Sequence, residues 1–196
     1  MITSRKLRSI MEARPIGKAS GIVMSLVVYP QLVGFSGEIP QEDVVEYENF
    51  HHVTIRYGVT EYDPKKLQMA LASVKPNLST DSAASSVGYF EGVQDGKCDC
   101  VFLKINDDVT KALEVIKNIV EDTLECEEST FAEYKPHITL AYVKLGRGKH
   151  IAEMLSEKFM EYELDKLWLD EVSVHFSDGD QQESTIYFNL LPSDEN

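Results

Sequence analysis

Two six-residue stretches of the chain repeat one pattern, His52-Val-Thr-Ile-Arg-Tyr57 and His137-Ile-Thr-Leu-Ala-Tyr142, 85 positions apart. Each sets a histidine two places before a threonine, puts an apolar residue after both, and closes on tyrosine. Nine threonines in 196 residues make such a threonine a roughly 5% event for any one histidine. Two cases among five histidines therefore exceed background. Free imidazoles titrate near pH 6.5, so of two that converge one can be neutral while the other is protonated. The neutral ring can take a proton from an attacking hydroxyl or water, and the protonated ring can give one to a leaving oxygen, each transfer being worth about 10²- to 10⁴-fold in rate. Threonine hydroxyls beside them can hold the non-bridging oxygens of a phosphate as charge builds. This is a complete scheme for cleaving a phosphodiester, and it asks for no metal ion and no other cofactor. The pattern leaves open which histidine is the base.

Strand geometry says what the spacing would do. Residues two apart point to one face, which groups His52, Thr54 and Arg56 on one side and Lys135, His137 and Thr139 on one side of the second motif. The catalytic candidates are thus His52, Thr54, His137 and Thr139, with Arg56 and Lys135 as candidate contacts to substrate phosphate or base. The same alternation turns Tyr57 and Tyr142 to the opposite face, where core packing is expected. His51 falls on the face opposite His52 and lacks a threonine two places on, so it reads as a neighbour. His150 and His175 read as surface histidines. Tyr29, Phe35 and Tyr89 could each offer a platform for a nucleobase, and the linear order does not choose among them.

The elements that must position the motifs alternate strands and helices. Gly21 to Tyr29 is β-branched and nearly all apolar, which suits a strand covered on both faces and ended by Pro30. Residues 31 to 48 read as loop, Phe50 to Tyr57 as a strand, and Asp63-Pro64 as the start of a helix reaching about Val74. Ser85 to Val93 and Cys100 to Ile105 form a hairpin about Gln94-Asp-Gly96. Asn106-Asp107 caps a helix to about Leu124, with Val109, Leu113, Ile116 and Val120 at helical spacing. The second motif strand follows from His137, then a helix from Lys149 to about Tyr162, and two strands about the turn Asp178-Gly-Asp180. An α+β architecture is expected, with two similar lobes that each carry one motif.

Composition narrows the substrate. The net charge is −14 and the pI about 4.7. The first 20 residues hold five Lys/Arg against Glu12, leaving 14 basic and 32 acidic side chains for the rest. Such a body repels a long polyanion, whose binding draws its affinity from neutralised phosphates. A small nucleotide held in a cleft by a few placed groups is compatible with it. No apolar run approaches membrane-spanning length and no stretch has the core of a secretory signal, so a cytoplasmic protein is expected, with oligomeric state open. Cys98, Cys100 and Cys126 have no disulfide-framework spacing, and a zinc site at Cys98-Asp-Cys100 would need two further ligands; no metal site is expected.

The paired His-x-Thr strands, with Pro136 directly before the second histidine, resemble the two-histidine (2H) phosphoesterase superfamily. That group includes the LigT-like 2′-5′ RNA ligase proteins, cyclic nucleotide phosphodiesterases and phage-encoded enzymes. The resemblance spans about Gly21 to Leu191, leaving 1–20 as a basic arm and 192–196 as a polar tail. It implies a bilobal α+β domain with two antiparallel sheets facing a central cleft and helices outside, and it carries the catalytic roles onto His52, Thr54, His137 and Thr139. The motif contexts look most like phage-encoded members, which implies an anti-defence enzyme degrading cyclic oligonucleotide immune signals in the host cytoplasm. The alternatives are an RNA-end-processing 2′,3′-cyclic phosphodiesterase or 2′-5′ RNA ligase-like enzyme, and a non-catalytic nucleotide-sequestering or phage structural protein.

Overall fold

A computed structural model of the chain describes residues 18–25, 30–49, 51–59, 83–129, 133–167, 169, 171–177 and 183–189. The elements run β1 (Lys18–Ser25), α1 (Pro30–Ser36), β2 (Val44–Tyr47), β3 (His52–Tyr57), β4 (Ala84–Gly92), β5 (Cys98–Ile105), α2 (Asp107–Thr123), β6 (His137–Lys144), α3 (Gly148–Lys158), β7 (Glu171–Ser177) and β8 (Glu183–Asn189). The architecture is α+β, as expected. All strand pairs are antiparallel, in the order β4-β5-β6-β3-β1-β7-β8, with β2 also pairing β6. The motif strands β3 and β6 are therefore neighbours at the centre. They are joined by one register pair, Val53 with Ile138, so the two halves of the sheet meet at the motifs themselves.

Local chemistry accounts for most of the elements. The β4–β5 hairpin turns through Gln94, Asp95 and Gly96, all in the left-handed region, where glycine is at ease and a short polar side chain is tolerated. The Asn106 side chain accepts the Val109 amide at 2.8 Å and so opens α2. Val109, Leu113, Ile116 and Val120 are buried along one stripe of that helix and join Val53, Ile55, Ile138 and Leu140 in a core cluster that also takes in Ile151 and Leu155 of α3.

Residues 31 to 48 depart from the expected loop. They contain α1 and the short strand β2, and Pro30, instead of only ending a strand, stands at the first helical position, which suits its fixed φ. Leu32, Phe35 and Ile39 are the buried side of this segment. Its Gly34 and Gly37 obscure a helical reading, and four residues of β2 are too few to show alternation. The helix expected from Asp63 to Val74, the turn Asp178-Gly-Asp180 and the first 17 residues lie outside the described residues. No helix among the described residues is long and apolar enough to cross a membrane.

Candidate active site

Both motif strands carry a β-bulge at the same place. Against β1, the register of β3 runs Val53, Thr54, Arg56 and passes over Ile55. Against β5, the register of β6 runs Ile138, Thr139, Ala141 and passes over Leu140. Each strand thus has one extra residue directly after its threonine, and an extra residue resets the alternation of faces. The burial sequence is the same in both: His and Thr half-buried, the three residues Val53, Ile55 and Arg56, or Ile138, Leu140 and Ala141, buried.

The bulges overturn three expectations. Arg56 does not share the face of His52 and Thr54. It turns inward, pairs with Glu121 of α2 at 2.8 Å and bonds the Glu127 carbonyl, so its guanidinium is committed to the protein. Tyr57 is not core either. It is 60% exposed, because the bulge returns it to the His–Thr face; its register partner is Gly21, two places from the partner of Thr54. Tyr142 likewise stands opposite Cys100, on the face that Phe102 shares with Thr139.

The Val53–Ile138 pair also fixes how the motifs meet. In an antiparallel pair the flanking positions are crossed, so His52 lies toward Thr139, and Thr54 toward His137. Side chains at directly opposed positions stand about 4.5–5.5 Å apart at Cβ. Val53 and Ile138 are fully buried while their neighbours are half-exposed, which puts all four His and Thr side chains on the face away from the core. Each histidine faces the threonine of the other motif.

His137 is held firmly. Its Nδ1–H donates to the Lys135 carbonyl at 2.8 Å, which leaves the Nε2 lone pair of the neutral ring as the free acceptor. Its ring contacts Phe90 edge-on and Phe102 at a tilt, both at 5.0 Å between centroids. Burial lowers its pKa below the ordinary 6.5, against the opposing pull of the carbonyl bond, and His52 nearby adds to the lowering. Lys135 meets His137 through its backbone carbonyl; its exposed ammonium pairs with Glu133 at 3.0 Å.

Backbone carbonyls of the motifs are bonded across the two halves. The Tyr134 hydroxyl donates to the Thr54 carbonyl at 3.1 Å, and the His51 Nδ1–H donates to the Thr139 carbonyl at 3.1 Å. Burial lowers the pKa of His51 as it does that of His137. The Cys100 thiol is 3.8 Å from the Thr139 hydroxyl, with its pKa raised to about 11 by burial; it is an inert neighbour.

Several residues of this face escaped the sequence. Phe90 and Phe102 belong to different strands and meet His137 only through pairing. Lys104 is the register partner of His137 and is exposed; its side chain and the Phe102 ring lie over Gly88, where a Cβ would come within 2.8 Å of both. Among the described residues no carboxylate pairs with Lys104. Of the platforms considered earlier, Phe35 is fully buried in the core, Tyr89 stands near Gly148 on the α3 side, and Tyr29 lies outside the described residues. No group of three or more His, Cys, Asp or Glu among the described residues is arranged to hold a metal ion.

No family model and no curated protein matches the chain by sequence. Solved structures do match its fold. Kluyveromyces marxianus Usb1 aligns over 88% of this chain and 98% of its own with a TM-score of 0.57 at 8% identity. The same protein with uridine monophosphate aligns over the same shares with a TM-score of 0.57 at 9% identity. Escherichia coli LigT complexed with 3′-AMP aligns over 88% of this chain and 95% of its own, with a TM-score of 0.46 at 12% identity. The chain thus shares the fold of Usb1, an α+β arrangement as expected from the sequence.

Proposed function

We propose that this chain of two-histidine phosphoesterase fold is a metal-independent phosphodiesterase that cleaves a 2′-linked or cyclic phosphodiester in a small nucleotide. The observation that carries the reading is the crossed placement of the two His-x-Thr motifs about Val53 and Ile138. A phosphate set among His52, Thr54, His137 and Thr139 would meet an acid, a base and two hydroxyl donors without any side chain having to leave its strand position.

The surroundings of His137 favour it as the base of the first step. Its Nδ1–H is fixed on a carbonyl and its burial disfavours the charged form. Its Nε2 takes the proton of the attacking hydroxyl or water as the new P–O bond forms. The old P–O bond breaks, and the leaving oxygen takes a proton from His52. Thr54 and Thr139 donate to the non-bridging oxygens, and Lys104, one strand spacing beyond His137, adds positive charge on the same face. In a transesterification followed by hydrolysis the two imidazoles exchange roles.

The acidic body favours a small substrate over a long strand. Within that class, the phage-like motif contexts favour cyclic oligonucleotide immune signals. A panel of cyclic di- and trinucleotides and a 2′,3′-cyclic mononucleotide, each incubated with the protein in EDTA, separates the branches. Cleavage of a cyclic oligonucleotide supports the anti-defence reading; opening of the mononucleotide alone moves the protein to RNA-end processing. Turnover that vanishes in EDTA and returns with added metal would sink the mechanism, and a ligand recovered intact from a tight complex would make it a sequestering protein.

A further inference from the structure

The paired bulges have an effect on the tyrosines that closes both motifs. Without them, Tyr57 and Tyr142 would face the core; with them, both stand on the His–Thr face, each three residues beyond its threonine. Because β3 and β6 are antiparallel, the two tyrosines leave the four polar side chains in opposite directions along the strands. Tyr57 is 60% exposed, an unusual setting for so large a ring on a strand at the sheet centre. Tyr142 is half-buried, standing opposite Cys100 in the β5–β6 register. A phosphodiester centred on the four polar groups would direct one ester substituent along each strand, toward one of these rings, and the two rings are themselves within electrostatic reach of each other.

We propose that Tyr57 and Tyr142 are the two nucleoside contacts of the site, one for each side of the scissile phosphate, so that the preferred substrate carries a nucleoside on both. The inference rests on the phosphodiesterase reading and deepens it. An internucleotide linkage, linear or within a cyclic oligonucleotide, engages both tyrosines. A 2′,3′-cyclic mononucleotide engages one. Base–aromatic stacking tolerates any base, because each has a π-face, so the pair sets the number of nucleosides recognised and not their identity.

The test uses the full chain, a 2′-5′-linked dinucleoside monophosphate and a 2′,3′-cyclic mononucleotide, with Tyr57→Ala, Tyr142→Ala and the corresponding Phe variants. Each Ala variant should raise KM for the dinucleoside about tenfold or more, the scale of losing one stacked base. Only one of the two should raise KM for the cyclic mononucleotide. The Phe variants, which keep the ring and the fold, should retain wild-type KM for both substrates. Wild-type KM in both Ala variants on the dinucleoside would overturn the inference, as would equal losses on both substrates or a matching loss in the Phe variants. A wild-type protein inactive on both substrates and on cyclic oligonucleotides would overturn the phosphodiesterase reading itself.

Discussion

The His51 ring donates its Nδ1–H to the carbonyl of Thr139, 88 positions away in sequence, and the Tyr134 hydroxyl does the same for Thr54 across 80. Each threonine that would hold phosphate thus has its backbone tied to a side chain that precedes the other motif. The two bonds stand where a longer β3–β6 ladder would otherwise have engaged those carbonyls. They hold the motif strands at a fixed spacing while leaving the His–Thr face open.

Removing one tie should loosen the site without dismantling it. Tyr134→Phe keeps the ring beneath the Lys117 ammonium and deletes only the hydroxyl. One buried hydrogen bond is worth about 0.5–1.5 kcal/mol, so kcat should fall about two- to tenfold with KM nearly unchanged. Steady-state kinetics at saturating substrate checks this; an unchanged kcat would show that the tie does not position Thr54.

How far the site was legible follows from which signals are local. The stripe Val109, Leu113, Ile116, Val120 lies within one helix, so spacing alone revealed it. The pairing of His with Thr two places on is equally local, and all four residues share the open face as read. What failed was everything past the threonines. Ile55 and Leu140 are apolar, so a strand read straight through them shows no fault, and only the register with β1 and β5 exposes each as an extra residue. That one-residue reset sent Arg56 inward to Glu121 and brought Tyr57 and Tyr142 out. Phe90, Phe102 and Lys104 were hidden for a related reason: they gather at His137 through strand pairing, for which the linear order has no marker.

The pH dependence of the reaction should carry the mark of His137. A base must be neutral, and burial against Phe90 and Phe102 holds its pKa below 6.5. The acid limb of kcat/KM should therefore lie below pH 6.5, with activity falling as pH drops through the depressed value. Phe90→Ala, which opens the ring to water, should move that limb upward toward 6.5. Stability shares the sign: the unfolded chain takes up protons at His51 and His137 from about pH 6.5 downward before the folded one does, so the Tm contribution is whole above that pH and lost below it. A limb unmoved by Phe90→Ala would remove the aromatic contacts from the account.

Asp99, between Cys98 and Cys100, is committed to two backbone amides. It is 1% exposed, and its two carboxylate oxygens accept the Gly92 amide at 3.0 Å and the Gly148 amide at 2.9 Å. The first closes the β4–β5 hairpin and the second starts α3, where a negative charge is favoured. Asp99→Ala leaves both amides without their partner at about 1–3 kcal/mol each, so equilibrium unfolding in denaturant should show a loss of about 2–6 kcal/mol. Asp99→Asn, which keeps one acceptor oxygen, should lose less. A change below about 1 kcal/mol in the Ala variant would mean that water replaces the carboxylate.

The central claim is that two imidazoles transfer protons about one phosphodiester, and single replacements measure it directly. His52→Ala and His137→Ala should each lower kcat by about 10²- to 10⁴-fold in EDTA, on whichever phosphodiester the wild-type protein turns over. Both should remain folded, since neither side chain belongs to the main core cluster, with His137→Ala the less stable of the two because it loses the contacts with Phe90 and Phe102. A substrate with sulfur as the leaving atom, which departs without a proton, should restore much of the rate to His52→Ala and little to His137→Ala. Wild-type turnover in either single variant would contradict the account.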